Sequence, residues 1–402
     1  MKKILSLFFL FIVMIGLSAC SSNNKDESKT ESTDAMKHSS MDERENSEGF
    51  SDVFSTKNVT RLNAENIIDA AIKVSKTIWP STHMENRPGA VILAPADNWQ
   101  ISLAAADLIH HPNNGPVLFY ENNEIPEATL KELARLGPVG TKEGTEVIVM
   151  GKAGQNVLDQ LKDYQVEQIQ EEDPAAFARD VDKKYAEASG ELPNSLIIVS
   201  SDKEAKLYSL IAANWIAHMP EPILYVTKDG IPEATKEALS LRNSQARIYV
   251  LGPETVISKE VESSLKEFGT VTRIDGKNPV DASIAFAKFK DEKTGFGWGL
   301  TEPGHGLDFV STEDADFAVA GAPFAHLGKH APLIWLEKGE LSDETHAFLG
   351  QLQPTFTDDP TVGPYNHAFI IGSGKAVSMN TQGMIDQMLE ITSADGGGHG
   401  GH

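Results

Sequence analysis

One cysteine in 402 residues excludes an internal disulfide framework, and basic residues are in deficit, 35 Lys+Arg against 58 Asp+Glu for a formal charge of −23. That balance excludes a nucleic-acid binder working by counterion release, because duplex phosphates would be repelled. Catalytic signatures are missing too. There is no G-x-S-x-G elbow, no H-E-x-x-H and no strict G-x-G-x-x-G after any apolar run. No apolar stretch is long enough to span a bilayer and stay there. The rest of the composition, 40% hydrophobic with 32 Gly and 20 Pro, is that of a globular chain with room for two or three cores.

Lys2 and Lys3 precede the apolar run 4–15, and Leu17-Ser18-Ala19-Cys20 follows. That order reads as a secretory signal over residues 1–19, with small residues before the cleavage point. The lone cysteine falls at the first mature position, where a thiol is needed to carry diacylglycerol. The segment resembles a bacterial lipobox, which implies lipidation at Cys20 and an extracytoplasmic, membrane-anchored mature chain. Without Lys2 and Lys3 that chain has 33 basic and 58 acidic residues, a net charge of −25. Residues 20–52 hold nine acids, four bases and almost no aliphatics. No core can form there, so the segment reads as a solvated acidic tether.

From Val59 the chain repeats with a period of roughly 105 residues. The opening phrases are Val59-Thr60-Arg61-Leu62, Val166-Glu167-Gln168-Ile169 and Val271-Thr272-Arg273-Ile274. Each is followed by a helical segment, then by an apolar run: Ala90-Val91-Ile92-Leu93, Ser195-Leu196-Ile197-Ile198-Val199, and the weaker Leu307-Asp308-Phe309-Val310. Alanine-rich stretches over 102–109, 209–217 and 317–325 come next, and then the strands that follow Pro116, Pro222 and Pro332. Ile125-Pro126 and Ile231-Pro232 open the next helix in two copies; the third has Ser342 in a capping position. A third strand closes each copy at Gly151, Gly252 or Gly372. Alternating strands and helices with continuous apolar strands predict an α/β chain of three tandem Rossmann-like parallel-sheet units in a pseudo-threefold arrangement. The repeats are bounded at 53–165, 166–270 and 271–391, with a Gly/His tail over 392–402.

These landmarks resemble the cell wall-binding repeat type 2 family, found in tandem threes on secreted proteins of low-GC Gram-positive bacteria. The match runs from about Val59 to Ile391. Arg61 and Arg273 keep the family's opening arginine, and Gln168 takes its place in the second copy. The closing phrase is kept at 252–258 and 372–378, whereas Gly151-Lys152-Ala153-Gly154 keeps only the glycines. The resemblance implies non-covalent attachment to an anionic wall polymer without catalysis or a cofactor. Glycine turns opening helices also suit anions on general grounds, since backbone N–H groups point into them. The candidate polymer-binding residues are therefore Arg61, Lys152, Arg273, Gly372, Gly374 and Lys375. At −25 such a chain needs local basic grooves or bridging divalent cations to meet a polyphosphate.

Other features point less far. His326 and His330 stand four apart, as ligands on one helix face do, and His399 and His402 lie in a glycine-rich tail. The insertion from Phe296 to Gly306 breaks the third copy and reads as a contact loop or as filling at the unit's edge. A transporter's solute-binding lipoprotein would share the lipobox and the α/β content, but calls for two lobes around one cleft. A wall hydrolase is the third alternative, since glycosidase carboxylates leave no reliable trace in sequence.

Overall fold

The computed structural model describes residues 53–110 and 113–395. The signal segment, the tether with Cys20, and His399 and His402 of the tail lie outside the described residues. The described residues open with β1 (Val53–Ser55) and β2 (Val59–Leu62). There follow β3 (Val91–Pro95), β4 (Val117–Tyr120), β5 (Val147–Met150) and β6 (Val166–Ile169). The middle of the chain supplies β7 (Ser195–Ser200), β8 (Ile223–Val226), β9 (Ala246–Leu251) and β10 (Gly269–Ile274). Last come β11 (Gly306–Ser311), β12 (Leu333–Leu336), the short β13 (Thr355–Phe356), β14 (His367–Ile371) and β15 (Thr392–Ser393).

Three sheets form with one topology: β4-β3-β5-β6, β8-β7-β9-β10 and β12-β11-β14-β2, all parallel. β1 adds an antiparallel edge beside β2. Of the central strands, β3, β7 and β11 are buried at every residue but Ser195, the first of β7, as expected of sheets covered on both faces. The expectation of Rossmann-like parallel units is met. Repeat and sheet are nevertheless out of step by one strand. The opening phrase of the second copy, β6, completes the first sheet; that of the third, β10, completes the second. The first opening phrase, β2, pairs with β14 and completes the third sheet, so the first repeat's opening strand closes a ring of three.

The helices follow the same cycle. Ile67–Ile78, Pro174–Ser189 and Pro279–Lys288 leave an opening strand and pack on β4, β8 and β12 of the next sheet. Asn66, Asp173 and Asn278 cap them, each accepting a backbone N–H three residues on, and Pro174 and Pro279 take the first turn. Ser342 caps Asp343–Leu352, as its position predicts. At the centre the alanine-rich segments meet helix on helix, where Ala105, Ala106, Ala212, Ala213, Ala318 and Ala322 are buried and small enough for close approach. The insertion is fixed to the second unit: Phe296 is buried and stacks on Tyr249 at 3.7 Å between ring centroids, and Trp298 meets Trp215 edge-on at 5.1 Å. It therefore fills a gap between units and also forms the wall of a cavity there.

Candidate functional site

In each sheet the chain order reverses between the two middle strands, and the crevice outside their carboxyl ends is where such folds place ligands. The three opening phrases reach these crevices from the sheet's fourth strand, and their polar residues all grip the glycine turn after the third. Arg61, only 2% exposed, donates from Nε to Gln382 Oε1 at 2.7 Å, from Nη1 to the Gly372 and Ser373 carbonyls at 3.2 and 2.9 Å, and from Nη2 to the Ser378 carbonyl at 3.3 Å. Burial pulls its pKa down to about 10, so it stays charged at neutral pH. Arg273 donates to the Gly252 carbonyl at 2.6 Å, the Ile257 carbonyl at 2.9 Å and Glu262 at 2.7 Å. Gln168 donates to the Gly151 carbonyl at 3.0 Å. All three residues thus brace their own turn, and the arginine Nη donors point at backbone carbonyl oxygens.

The other sequence candidates sit at equivalent ends of different sheets. Gly374 and Lys375 are exposed on the third, beside Gly372, which carries a positive φ of +142°. Lys152 is exposed on the first and pairs with Glu172 at 3.6 Å. The structure therefore joins Arg61, Gly372, Gly374 and Lys375 in one crevice and leaves Arg273 and Lys152 in the other two. The Lys152 crevice encloses about 230 Å³, and Asn98, Asn123, Asp97, Glu171 and Glu172 line it with the lysine. One cation against three carboxylates makes it a place for bridged rather than direct contact with an anion.

Two features escape motif reasoning. His110, His218 and His326 recur at an interval of 108 residues, at the ends of the three alanine-rich segments. Their ring centroids lie 3.8, 5.8 and 6.2 Å apart, so the three units meet in imidazole. Burial and nearby His330 push the His218 ring down to about 4. The 108-residue interval is the signal that finds the trio. Pairing His326 with His330 within one helix does not. Among the described residues, no group of three His, Cys, Asp or Glu stands ready to hold a metal ion with the side chains as they are.

The second feature is Asp308, wholly buried in β11 and touched by Asn214 Nδ2 at 3.1 Å. Gly321 lets the inner helix close over it, since a Cβ there would lie 2.6 Å from Asp308 Oδ2. Burial pushes this carboxyl up to about 7. Above pH 7 the folded protein holds a buried charge, while the unfolded chain ionises near pH 3.9, so Asp308 costs stability increasingly from about pH 4 to 7 and by a constant amount above. Asp308→Asn is therefore expected to be about 1–3 kcal/mol more stable than the parent in urea at pH 8, the gap closing toward pH 4. An equal gap at both pH values would reject the assignment.

Fold and crevices together define a ring of three parallel α/β units joined by helices at its centre. No family model matches the chain. It is similar to Cwp6 from Clostridium difficile, with a TM-score of 0.68 at 18% identity over 83% of this chain and 48% of that one. Cwp8 from the same organism aligns with a TM-score of 0.62, again at 18% identity, over 83% of this chain and 52% of that one. A stretch of 96 residues is 31% identical to the amidase enhancer of Bacillus subtilis (strain 168), which is 24% of this chain and 13% of that protein. The chain thus spans about half of the two structural neighbours and a small part of the enhancer.

Proposed function

We propose that this protein is a lipid-anchored, extracytoplasmic binding module that attaches to the cell wall non-covalently, through anionic wall polymer, and catalyses no reaction. The observation that carries the reading is the three-unit ring itself, which shares its fold over 83% of its length with Cwp6 and Cwp8, cell wall proteins of C. difficile. The amidase enhancer adds a wall-related neighbour in sequence. Anchoring rests on Cys20 and the signal before it. The described residues form three parallel-sheet units, with the small β13–β15 pair beside them, rather than two lobes, which speaks for a wall-binding module over a transporter's solute-binding lipoprotein.

Polymer lies across the crevices at the strand ends, with Lys375 on the third sheet and Lys152 on the first as exposed cations. Divalent cations bridge phosphate to the carboxylates around Lys152. Co-sedimentation of residues 53–402 with purified sacculi tests this. Pelleting is expected with intact sacculi, and is expected to fall when phosphate polymers are stripped or a chelator is added. Lys152→Glu combined with Lys375→Glu should weaken retention about five- to tenfold, the scale of two exposed charge contacts. Equal pelleting with stripped and intact sacculi would remove anionic polymer as the ligand; no pelleting with either would end the wall-binding reading.

A further inference from the structure

The switch-point crevices lie at the carboxyl ends of the strands, and the amino ends carry a cavity of different chemistry. It encloses about 250 Å³ near the starts of β8, β11 and β12, and Lys290, His218, His305, His330, Trp215 and Trp298 line it. No carboxylate is among the lining residues, although the chain as a whole is acidic. Lys290 is exposed and donates to the Gly297 carbonyl at 3.1 Å, which leaves its other N–H groups to a ligand. Glu221, the acid that feels its charge, is held by the Trp215 indole N–H at 3.0 Å and does not line the cavity. Nδ1 of His218 is sealed from water with no hydrogen-bond partner, so the fold leaves part of that ring's polar capacity unused.

The indoles supply an apolar wall. Trp298 is half-buried, meets Trp215 edge-on and lies parallel to the His218 ring at 6.2 Å. It belongs to the insertion that breaks the third copy, so this wall is built once in the ring. The backbone leading to His330 is irregular. Residues Phe324–Gly328 form a single π turn, and His330 is held at φ +52°, a conformation unfavourable for a side chain with a Cβ. A neighbouring cavity of about 390 Å³ shares His305 and is lined by Lys329, His367 and Tyr365, again with no carboxylate. Together the two reach the size of about 300–1,000 Å³ that holds small organic ligands.

We propose that the cavity at Lys290 and Trp298 binds an acidic sugar, a saccharide unit bearing a carboxylate or a phosphate. The ammonium pairs with the acid group, imidazole N–H groups donate to it and to the hydroxyls, and the C–H face of the sugar ring packs on the Trp298 indole. A cation would meet only donors and an ammonium here. A neutral apolar ligand would leave that ammonium and three imidazoles without partners, and a bare inorganic anion would leave the indoles idle. A sugar acid uses both halves of the lining. Lys329 and His367, beyond His305, offer the next unit of an acidic glycan a second cation and imidazole. The proposal deepens the wall-binding reading and rests on it for the source of the sugar, and it puts a contact at the opposite ends of the strands from the switch-point crevices.

The test is an NMR titration of the full chain with glucuronate, glucose 6-phosphate and glucose, following the Trp298 indole N–H signal, which Trp298→Phe assigns. At least one acidic sugar is expected to shift that signal to saturation, with a Kd at least about tenfold below that of glucose or of inorganic phosphate. The better of the two tells carboxylate from phosphate. Lys290→Met should weaken binding at least about fivefold without lowering the melting temperature, because the side chain is exposed. His330→Gly should weaken it too while keeping the fold, since glycine adopts the positive φ freely. The proposal is overturned if neither acidic sugar moves the signal, if glucose or inorganic phosphate binds as tightly, or if Lys290→Met binds undiminished. Sacculus pelleting of the same chains separates the two readings. A chain that pellets without binding sugar acid overturns this site alone, and one that binds sugar acid without pelleting overturns the wall-binding reading and leaves the site standing.

Discussion

Arg61→Ala is expected to remove about 3 kcal/mol or more of unfolding free energy, read as a fall in the urea midpoint at unchanged slope. The guanidinium is buried and satisfies four acceptors, three of them carbonyls of the turn and the helix start that end the third sheet. Alanine strands those oxygens without water, and hydrogen bonds to a charged group are worth about 1.5–3 kcal/mol each before relaxation. The loss falls on the seam where β2 joins β14, so hydrogen exchange should quicken in both strands ahead of the other two sheets. Arg61→Gln is the informative companion. Gln168 holds the equivalent Gly151 carbonyl in the first unit with one amide, so glutamine at 61 should recover roughly half of the loss. If Arg61→Ala unfolds like the parent while wall retention collapses, the residue serves ligand and not the turn.

That arginine also shows where sequence reasoning stops. Its repeated place in the opening phrase is plain to see, and a cation beside a glycine turn suggests an anion site. What the pattern does not contain is the direction of the side chain, and in the fold the donors are taken up by carbonyls. The apolar strands were legible because full burial on both faces leaves a continuous apolar run, as in Val91–Pro95 and Ser195–Ser200. β11 was the faint one, since buried Asp308 interrupts its run. Strand partners were not legible. Val166–Ile169 has the same periodicity whether it opens one sheet or closes another, and pairing depends on contacts across the chain. His110, His218 and His326 are each unremarkable in their own segments, and they gain meaning only when the repeat is folded into a ring.

The other large effect is expected at Arg242. Its Nη1 and Nη2 donate to Asp182 Oδ2 and Oδ1, both at 2.9 Å, with neither side chain exposed, and the guanidinium also donates to the Pro193 and Ala238 carbonyls. Asp182 lies on Pro174–Ser189 and Arg242 just beyond Glu233–Ser240, so the pair locks two helices of the second unit together. Removing one partner leaves a charge in a dry interior, and Arg242→Met or Asp182→Leu is each expected to cost about 3–5 kcal/mol at pH 7. Replacing both at once should cost much less, since a buried pair is often no better than well-packed apolar side chains. The two single variants should part company as pH falls. In Arg242→Met the fully buried Asp107 carboxyl, which burial, Asp182 and Glu221 push up, loses the one neighbour that pulls it down. Its deficit should therefore shrink as the pH falls, because a carboxyl pushed up in the fold costs stability only where it is ionised. Asp182→Leu strands a guanidinium that cannot lose its proton, so its deficit should persist as the pH falls. Parallel losses in both variants at all pH values, or a double variant as unstable as the sum of the singles, would mean that packing around Arg242 and not the ion pair holds these helices.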